Sequence, residues 1–311
     1  MRQIRVLAVA LAGVLGADTQ ILAREVQSNP SVFEQNLREV RFALHIENGN
    51  YAGPGAQVLK DAVDGARYVL VGEDHITREI PQFTAILCNE MARRGLSAMA
   101  VEAGPQAAKF VSSSFGKPDR LERMAALNRT YPDSAAFLNI RQENDLAEDC
   151  SQVAARSGFH LWGLDQEFVG SAGWLLDQIL ATHLKPASAA AIARLKEEEK
   201  AAAARARKTG DPSVLFLWVV PDRELNEVAA LLDREGNREA SELFEELMES
   251  HEIYVKNAQG SPGSNSLRAR LLKQNLRRDL EAAGDTGHQR VLLKFGDWHL
   301  YKGLNPLHQR D

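Results

Sequence analysis

Tyr68-Val-Leu-Val-Gly72-Glu73-Asp74-His75 is an apolar run that stops abruptly at a glycine followed by three ionisable residues. Three more apolar runs also end in acids or histidines: Ala98-Met-Ala-Val-Glu102, Leu161-Trp-Gly-Leu-Asp165 and Val291-Leu-Leu-Lys-Phe-Gly-Asp297-Trp-His299. Short apolar runs set among long stretches of helical periodicity predict β-α units and a largely parallel sheet. In such sheets ligands bind outside the carboxyl ends of the strands, where each run places its charged residues. The expected fold is therefore α/β, a mostly parallel central sheet flanked by helices, with acids and imidazoles from four distant segments meeting in one crevice.

Working outward, Ile80 to Arg94 has helical spacing and stops at Gly95, a natural C-terminal cap. Ala56 to Ala66 reads as a helix feeding the first strong strand. Phe42 to Glu47 reads as a short strand, with turns over Asn48-Gly-Asn-Tyr-Ala-Gly-Pro-Gly55. Residues 119–157 are mostly helical. From about 171 to 284 the pattern is helical almost throughout, which predicts a large insertion acting as a cap above the carboxyl edge of the sheet. Within it, the charged run from Lys196 to Lys208 reads as a solvated helix face. Val214-Leu-Phe-Leu-Trp-Val-Val220, flanked by Pro212 and Pro221, reads as core or as an apolar wall over the crevice.

A chain of 311 residues can bury a large core, and 44% hydrophobic with 25% charged residues is ordinary for a folded protein. The formal charge of −5, without a dense basic cluster, argues against a nucleic-acid partner. Met1-Arg-Gln-Ile-Arg5 followed by the apolar Val6 to Leu15 and small residues up to Ala17 has the anatomy of a signal peptide. The expected organisation is a leader at 1–17 and a single α/β domain at 18–311 in the periplasm or secreted, with no stable membrane span after cleavage. Cys88 and Cys150 can pair or remain buried thiols; neither has the spacing of a zinc or redox motif. No Gly-x-Ser-x-Gly elbow, Walker loop or dinucleotide fingerprint occurs.

Gly72-Glu73-Asp74-His75-Ile-Thr-Arg78-Glu79 carries the sharpest local chemistry. A carboxylate beside an imidazole orients it and raises its basicity, as a general base or a metal ligand requires. A helix beginning near His75 brings Glu79 onto its face. The plainer reading is a helix start at which Asp74 or Thr77 caps. Glu102, Asp165, Asp297 and His299 at the other strand ends favour a site, because burying isolated acids is costly.

Gly72-x-x-His75, with Glu102 after the next strand and His299 near the end, resembles the superfamily of erythromycin esterases, ChaN-type haem-uptake proteins and TIKI/TraB proteins. The resemblance spans roughly Phe42 to Leu304. It implies an α/β core with a helical elaboration and one pocket lined by acids and histidines. Arg268-Ala-Arg-Leu-Leu-Lys-Gln-Asn275 is similar to the esterases' Arg-Asp-x-x-Met-Ala-x-Asn helix, and Leu161 to Asp165 to their Gly-x-Asp strand end. Two departures stand out. The esterase spacing Gly-Glu-x-x-His is one residue longer than Gly72 to His75, and the first histidine of Ala-His-Asn-x-His is here Gly296.

The resulting expectation is a hydrolase that activates water against an ester, lactone or amide of a small-molecule or peptide substrate. Glu73, His75, Glu102 and His299 would carry catalysis, with Arg78, Glu79, Asp165, Arg268, Asn275 and Asp297 binding or orienting. A divalent metal, if used, would be held by His75, Glu102 and His299, although their spacing is no zinc signature. The alternative implied by the resemblance is a haem- or iron-binding protein, with His75, His299 or Tyr301 as axial ligand and Trp174, Trp218 and Trp298 as walls. A non-catalytic envelope protein that keeps the fold is a third reading.

Overall fold

The computed structural model of the chain describes residues 31–261, 263–284, 287 and 289–300. The expected leader at 1–17 and Tyr301 lie outside them. The chain divides into two compact units, residues 1–42 and 43–311. In the first, helix α1 (Val32–Glu39) opens with a reciprocal capping box between Ser31 and Glu34.

The second unit begins with a hairpin of β1 (His45–Glu47) and β2 (Asn50–Ala52). Asn48 and Gly49 both have positive φ at its turn, which suits the right-handed twist of the paired strands. Helix α2 (Pro54–Asp64) leads into β3 (Tyr68–Glu73), α3 (Glu79–Ala92) and β4 (Leu96–Val101). Then come α4 (Pro105–Ser112), α5 (Arg120–Thr130), α6 (Arg141–Val153) and β5 (His160–Gly163). The insertion follows as α7 (Ala172–Ala181), α8 (Pro186–Thr209), α9 (Phe216–Val219), α10 (Asp222–Glu235), α11 (Arg238–Ala258) and α12 (Gly263–Ala282). Strand β6 (Arg290–Gly296) and the short α13 (Asp297–Leu300) complete the described chain.

The four strands form one parallel sheet in the order β3-β6-β4-β5. The last of the described strands thus sits inside the sheet, and its register places Glu73 opposite Gly296 and Val101 opposite Lys294. All four carboxyl ends therefore point the same way. Strand β4 is buried along its whole length, as expected for a strand covered on both faces. One face packs on α2, α3, α4 and α6 through Leu87, Met91, Met99, Ala107 and Leu146. The other packs Trp162, Val291, Leu293 and Phe295 against Leu272, Leu276 and Leu280 of α12.

Cys88 on α3 and Cys150 on α6 form a disulfide inside the first of these layers, settling an alternative the sequence leaves open. The bridge closes a span of 62 residues, and removing that much loop entropy from the unfolded chain is worth about 4 kcal/mol in the chain-entropy picture.

Helices α7 to α11 build a core of their own from residues such as Leu175, Ile192, Leu225 and Phe244. Phe216, Leu217 and Val220 belong to it, so the run between the two prolines is core. The insertion is fastened through buried acids. Glu167, just after β5, accepts the Gln106 N–H at the start of α4 at 2.6 Å, and its own N–H donates to Ser250 of α11. Glu246 of α11 accepts from the Gln106 side chain at 3.0 Å. Burial, helped by the charge of Glu246, pushes the Glu167 carboxyl up to about 8; burial pushes Glu246 to about 7. Gly104 is required beside this contact, because a Cβ there would come within 2.2 Å of the Glu167 carboxyl carbon.

No helix among the described residues is long and apolar enough to cross a membrane.

Candidate active site

A cavity of about 740 Å³ opens at the carboxyl ends of the strands. Glu73, His75, Glu102, Arg268, Asp297 and His299 line it together with the apolar Leu272, Leu276, Leu293 and Phe295. Of the insertion, α12 is the helix that reaches it.

Glu73 is the last residue of β3, and the chain turns sharply after it. Ile76 has a φ of 67°, a left-handed conformation unfavourable for a β-branched residue. The α-helix therefore begins only at Glu79, and His75 stands in the turn before it. This overturns the expected pairing of Glu79 with His75 on one helix face. Arg78 and Glu79 are exposed at the start of α3 and do not line the cavity. No side chain caps that helix, so the capping reading of Asp74 and Thr77 fails as well.

His75 is held on three sides. Its Nδ1 is 3.1 Å from Glu73 Oε1, and its Nε2 is 3.5 Å from Glu102 Oε2. Its ring stacks on Phe137 at 4.2 Å between centroids and 15° between planes. Phe137 itself has a φ of 54°, and backbone in this region costs energy that surrounding packing must sustain.

Glu102 joins the two histidines. Oε2 accepts the Gly296 N–H at 2.6 Å, while Oε1 accepts from Arg268 Nη2 at 2.6 Å and lies 3.3 Å from His299 Nε2. Burial pushes this carboxyl up, but the bond from His299, the charge of Arg268 and the Gly296 N–H outweigh it and hold Glu102 at about 2. Glu102 is thus a carboxylate at any ordinary pH. His299 Nε2 also lies 3.0 Å from Arg268 Nη1, and arginine can only donate. Nε2 therefore accepts from Arg268 when it carries no hydrogen and donates to Glu102 when it does.

Gly296 explains the missing histidine. A Cβ at this position would approach His75 Nε2 to 2.8 Å and Glu102 Oε2 to 3.2 Å. The space a side chain would need is taken by the imidazole and the carboxylate it faces. Gly72 meets Asp297 in the same way, since its Cβ would lie 3.2 Å from the Asp297 backbone.

Arg268 is clamped by Asp165, which accepts from Nε at 2.8 Å and also from Nη2. Burial alone favours loss of its proton, but Asp165 and Glu102 hold the guanidinium charged, above its ordinary range. Asn275, two turns along α12, donates to the Leu164 carbonyl at 2.8 Å and fixes the helix to the end of β5. It does not line the cavity and acts as a brace.

The expected metal set does not suit a divalent cation. Glu102 and His299 both meet the Arg268 guanidinium, so an ion among His75, Glu102 and His299 would face a fixed positive charge. Among the described residues no cluster of three histidine, cysteine or acidic side chains is arranged as a metal site. Of the tryptophans expected around a haem, Trp298 lines the cavity. Trp174 packs edge-on against Phe110, and Trp218 packs against Tyr254.

Two charged residues behind His75 were not anticipated. Lys294, in the middle of β6 and 2% exposed, donates to Glu73 Oε2 at 2.5 Å and to Glu143 Oε1 at 2.9 Å. A lysine inside an otherwise apolar central strand was the available signal, since lysine is almost never fully buried without a partner. Glu143 gives no such signal, because α6 reads as a charged helix. Phe137 is equally silent in sequence.

No protein-family profile matches the chain, and no curated protein matches it in sequence. Two solved structures are similar in fold. One is a histidine-to-asparagine mutant of the erythromycin esterase EreC in its open conformation, 18% identical, with a TM-score of 0.51 over 77% of this chain and 63% of that one. The other is a protein from Bacillus cereus, 14% identical, with a TM-score of 0.51 over 86% of this chain and 66% of that one. The chain thus spans under two thirds of the length of either. With its parallel sheet, helical insertion and carboxyl-end pocket, it shares the fold of an erythromycin esterase.

Proposed function

We propose that this protein is a hydrolase in which His75 activates water against an ester, lactone or amide. The observation that carries the reading is the setting of His75: Nδ1 on Glu73, Nε2 on the cavity side beside Glu102, and the ring pinned by Phe137. A carboxylate behind Nδ1 keeps a proton there and leaves Nε2 to take one from water. Arg268, held charged beside Glu102 and His299, stands where negative charge on an attacked carbonyl oxygen can be met. His299, with Nε2 beside both Arg268 and Glu102, is the group placed to protonate the leaving group.

The fold shared with EreC, named as an erythromycin esterase, supports this reaction class. The leucines and Phe295 that line the cavity favour a small substrate with an apolar body beside the reacting carbonyl. The disulfide, together with the leader-like residues 1–17, supports an exported protein. Assay of the purified chain on ester, lactone and amide panels, with His75→Asn alongside, is the test. Hydrolysis should fall by ~10²–10⁴-fold in the variant. Undiminished activity in folded His75→Asn overturns the proposal.

A further inference from the structure

Strand β6 is buried through its last six residues, and Lys294 lies among them. Its Nζ bridges Glu73 and Glu143, both buried, and none of the three reaches solvent appreciably. Taking one ammonium and two carboxylates out of water is expensive, and an apolar trio of similar volume often serves stability as well or better. The arrangement therefore calls for a reason beyond packing.

The reason lies in how the two Glu73 oxygens are divided. Oε2 accepts from Lys294 and Oε1 faces His75 Nδ1. With Lys294 in place Glu73 is an acceptor on both oxygens, so Nδ1 carries the hydrogen at 3.1 Å; Glu102 Oε2, 3.5 Å from Nε2, is the more distant acceptor, and the neutral ring keeps its lone pair on Nε2. Without Lys294, Glu73 and Glu143 confront each other with no cation between them, and like charges in one site drive one of them to take up a proton. A protonated Glu73 can donate to Nδ1, which moves the ring hydrogen to Nε2. Glu143 anchors Lys294 from α6, and the Phe137 stack keeps the ring from turning away.

We propose that Lys294, anchored by Glu143, is a positioning residue that fixes the Nδ1–H tautomer of His75 by holding Glu73 as a pure acceptor. The proposal deepens the hydrolase reading and rests on it for its kinetic consequence, but the tautomer is measurable without substrate.

The experiment is ¹⁵N NMR of the imidazole nitrogens in the full chain, with His75→Asn assigning the signal. The unaltered protein should show a protonated Nδ1 and an unprotonated Nε2 at His75. Lys294→Met should move the ring toward the Nε2–H form, whereas Glu143→Gln, which keeps an acceptor for Nζ, should leave the tautomer in place. On a cleaved ester, Lys294→Met should lower kcat by ~10–100-fold, the range for groups that orient a reacting side chain, with KM little changed. If Lys294→Met does not fold, Glu143→Leu removes the anchor and should give the same tautomer shift in weaker form. An unmoved tautomer in whichever of these variants folds, with only thermal stability lowered, overturns the proposal. A shifted tautomer in a protein that cleaves no ester, lactone or amide upholds the role of Lys294 while overturning the hydrolase reading.

Discussion

Glu102 receives the backbone N–H of Gly296 on one carboxylate oxygen and the Arg268 guanidinium on the other, so one buried acid links β4, β6 and α12 at the mouth of the cavity. The same acid stands within 3.5 Å of both candidate catalytic histidines. Its replacement should therefore be felt in stability and in activity together.

Glu102 has a folded-state pKa of about 2, below the ordinary 4.5 of the unfolded chain. A depressed carboxyl contributes stability that is present above the unfolded value and lost as pH falls through the folded one. The contribution is about 3 kcal/mol at neutral pH, disappearing between about pH 4.5 and pH 2. Denaturant melts from pH 6 down to pH 2 should show Glu102→Gln less stable at pH 6 and less sensitive to acid across that window.

Glu167 and Glu246 act in the opposite direction. Their folded values, about 8 and about 7, lie above the unfolded one, so their contribution is present at low pH and is lost as pH rises through neutrality. Glu167→Gln keeps an acceptor for the Gln106 N–H and removes the ionisable group. It should raise stability at pH 8 by about 1–3 kcal/mol and leave it nearly unchanged at pH 4, read from denaturant midpoints at the two pH values.

Gly296→Ala places a methyl against His75 Nε2 and Glu102 Oε2. The sheet tolerates alanine, but the imidazole and carboxylate must move apart. Hydrolysis should fall by ~10²-fold, the scale for a misplaced reacting group, with near-native circular dichroism. Undiminished turnover would mean that the separation of His75 and Glu102 does not matter to the reaction.

Reduction of Cys88–Cys150 should lower the unfolding free energy by up to about 4 kcal/mol. Chemical denaturation with and without reductant measures it. The α3 and α6 contact is deep in the core, so the loss should appear as a shifted midpoint of a single transition.

The strands and the crevice were legible in sequence because a buried parallel strand is an uninterrupted apolar run and its charged end marks the edge of the sheet. Glu73, His75, Glu102 and His299 converge as those ends require. Glu79 does not join them, because Ile76 adopts a backbone conformation that side-chain periodicity cannot reveal. The partnership of Cys88 and Cys150 depends on how α3 and α6 pack, and a count of cysteines leaves it open. Lys294 was visible as a cation inside an apolar run, but its partner Glu143 sits on a helix whose many charges hide the one that turns inward. Arg268, which a motif singles out in sequence, is bound by both Asp165 and Glu102 in the structure.

The strand order β3-β6-β4-β5 bears on how the molecule comes into being. The gap between β3 and β4 is filled only by a strand that arrives at the far end of the chain, and the Glu73–Lys294 bond joins residues 221 apart in sequence. Loop closure over such a distance makes the pairing late in folding. As the chain folds, the insertion helices can settle around their own core while the sheet still has an open slot. The pocket then forms in a single closing event, and a nascent chain stopped before Arg290 would hold His75 and Glu102 with nothing between their strands.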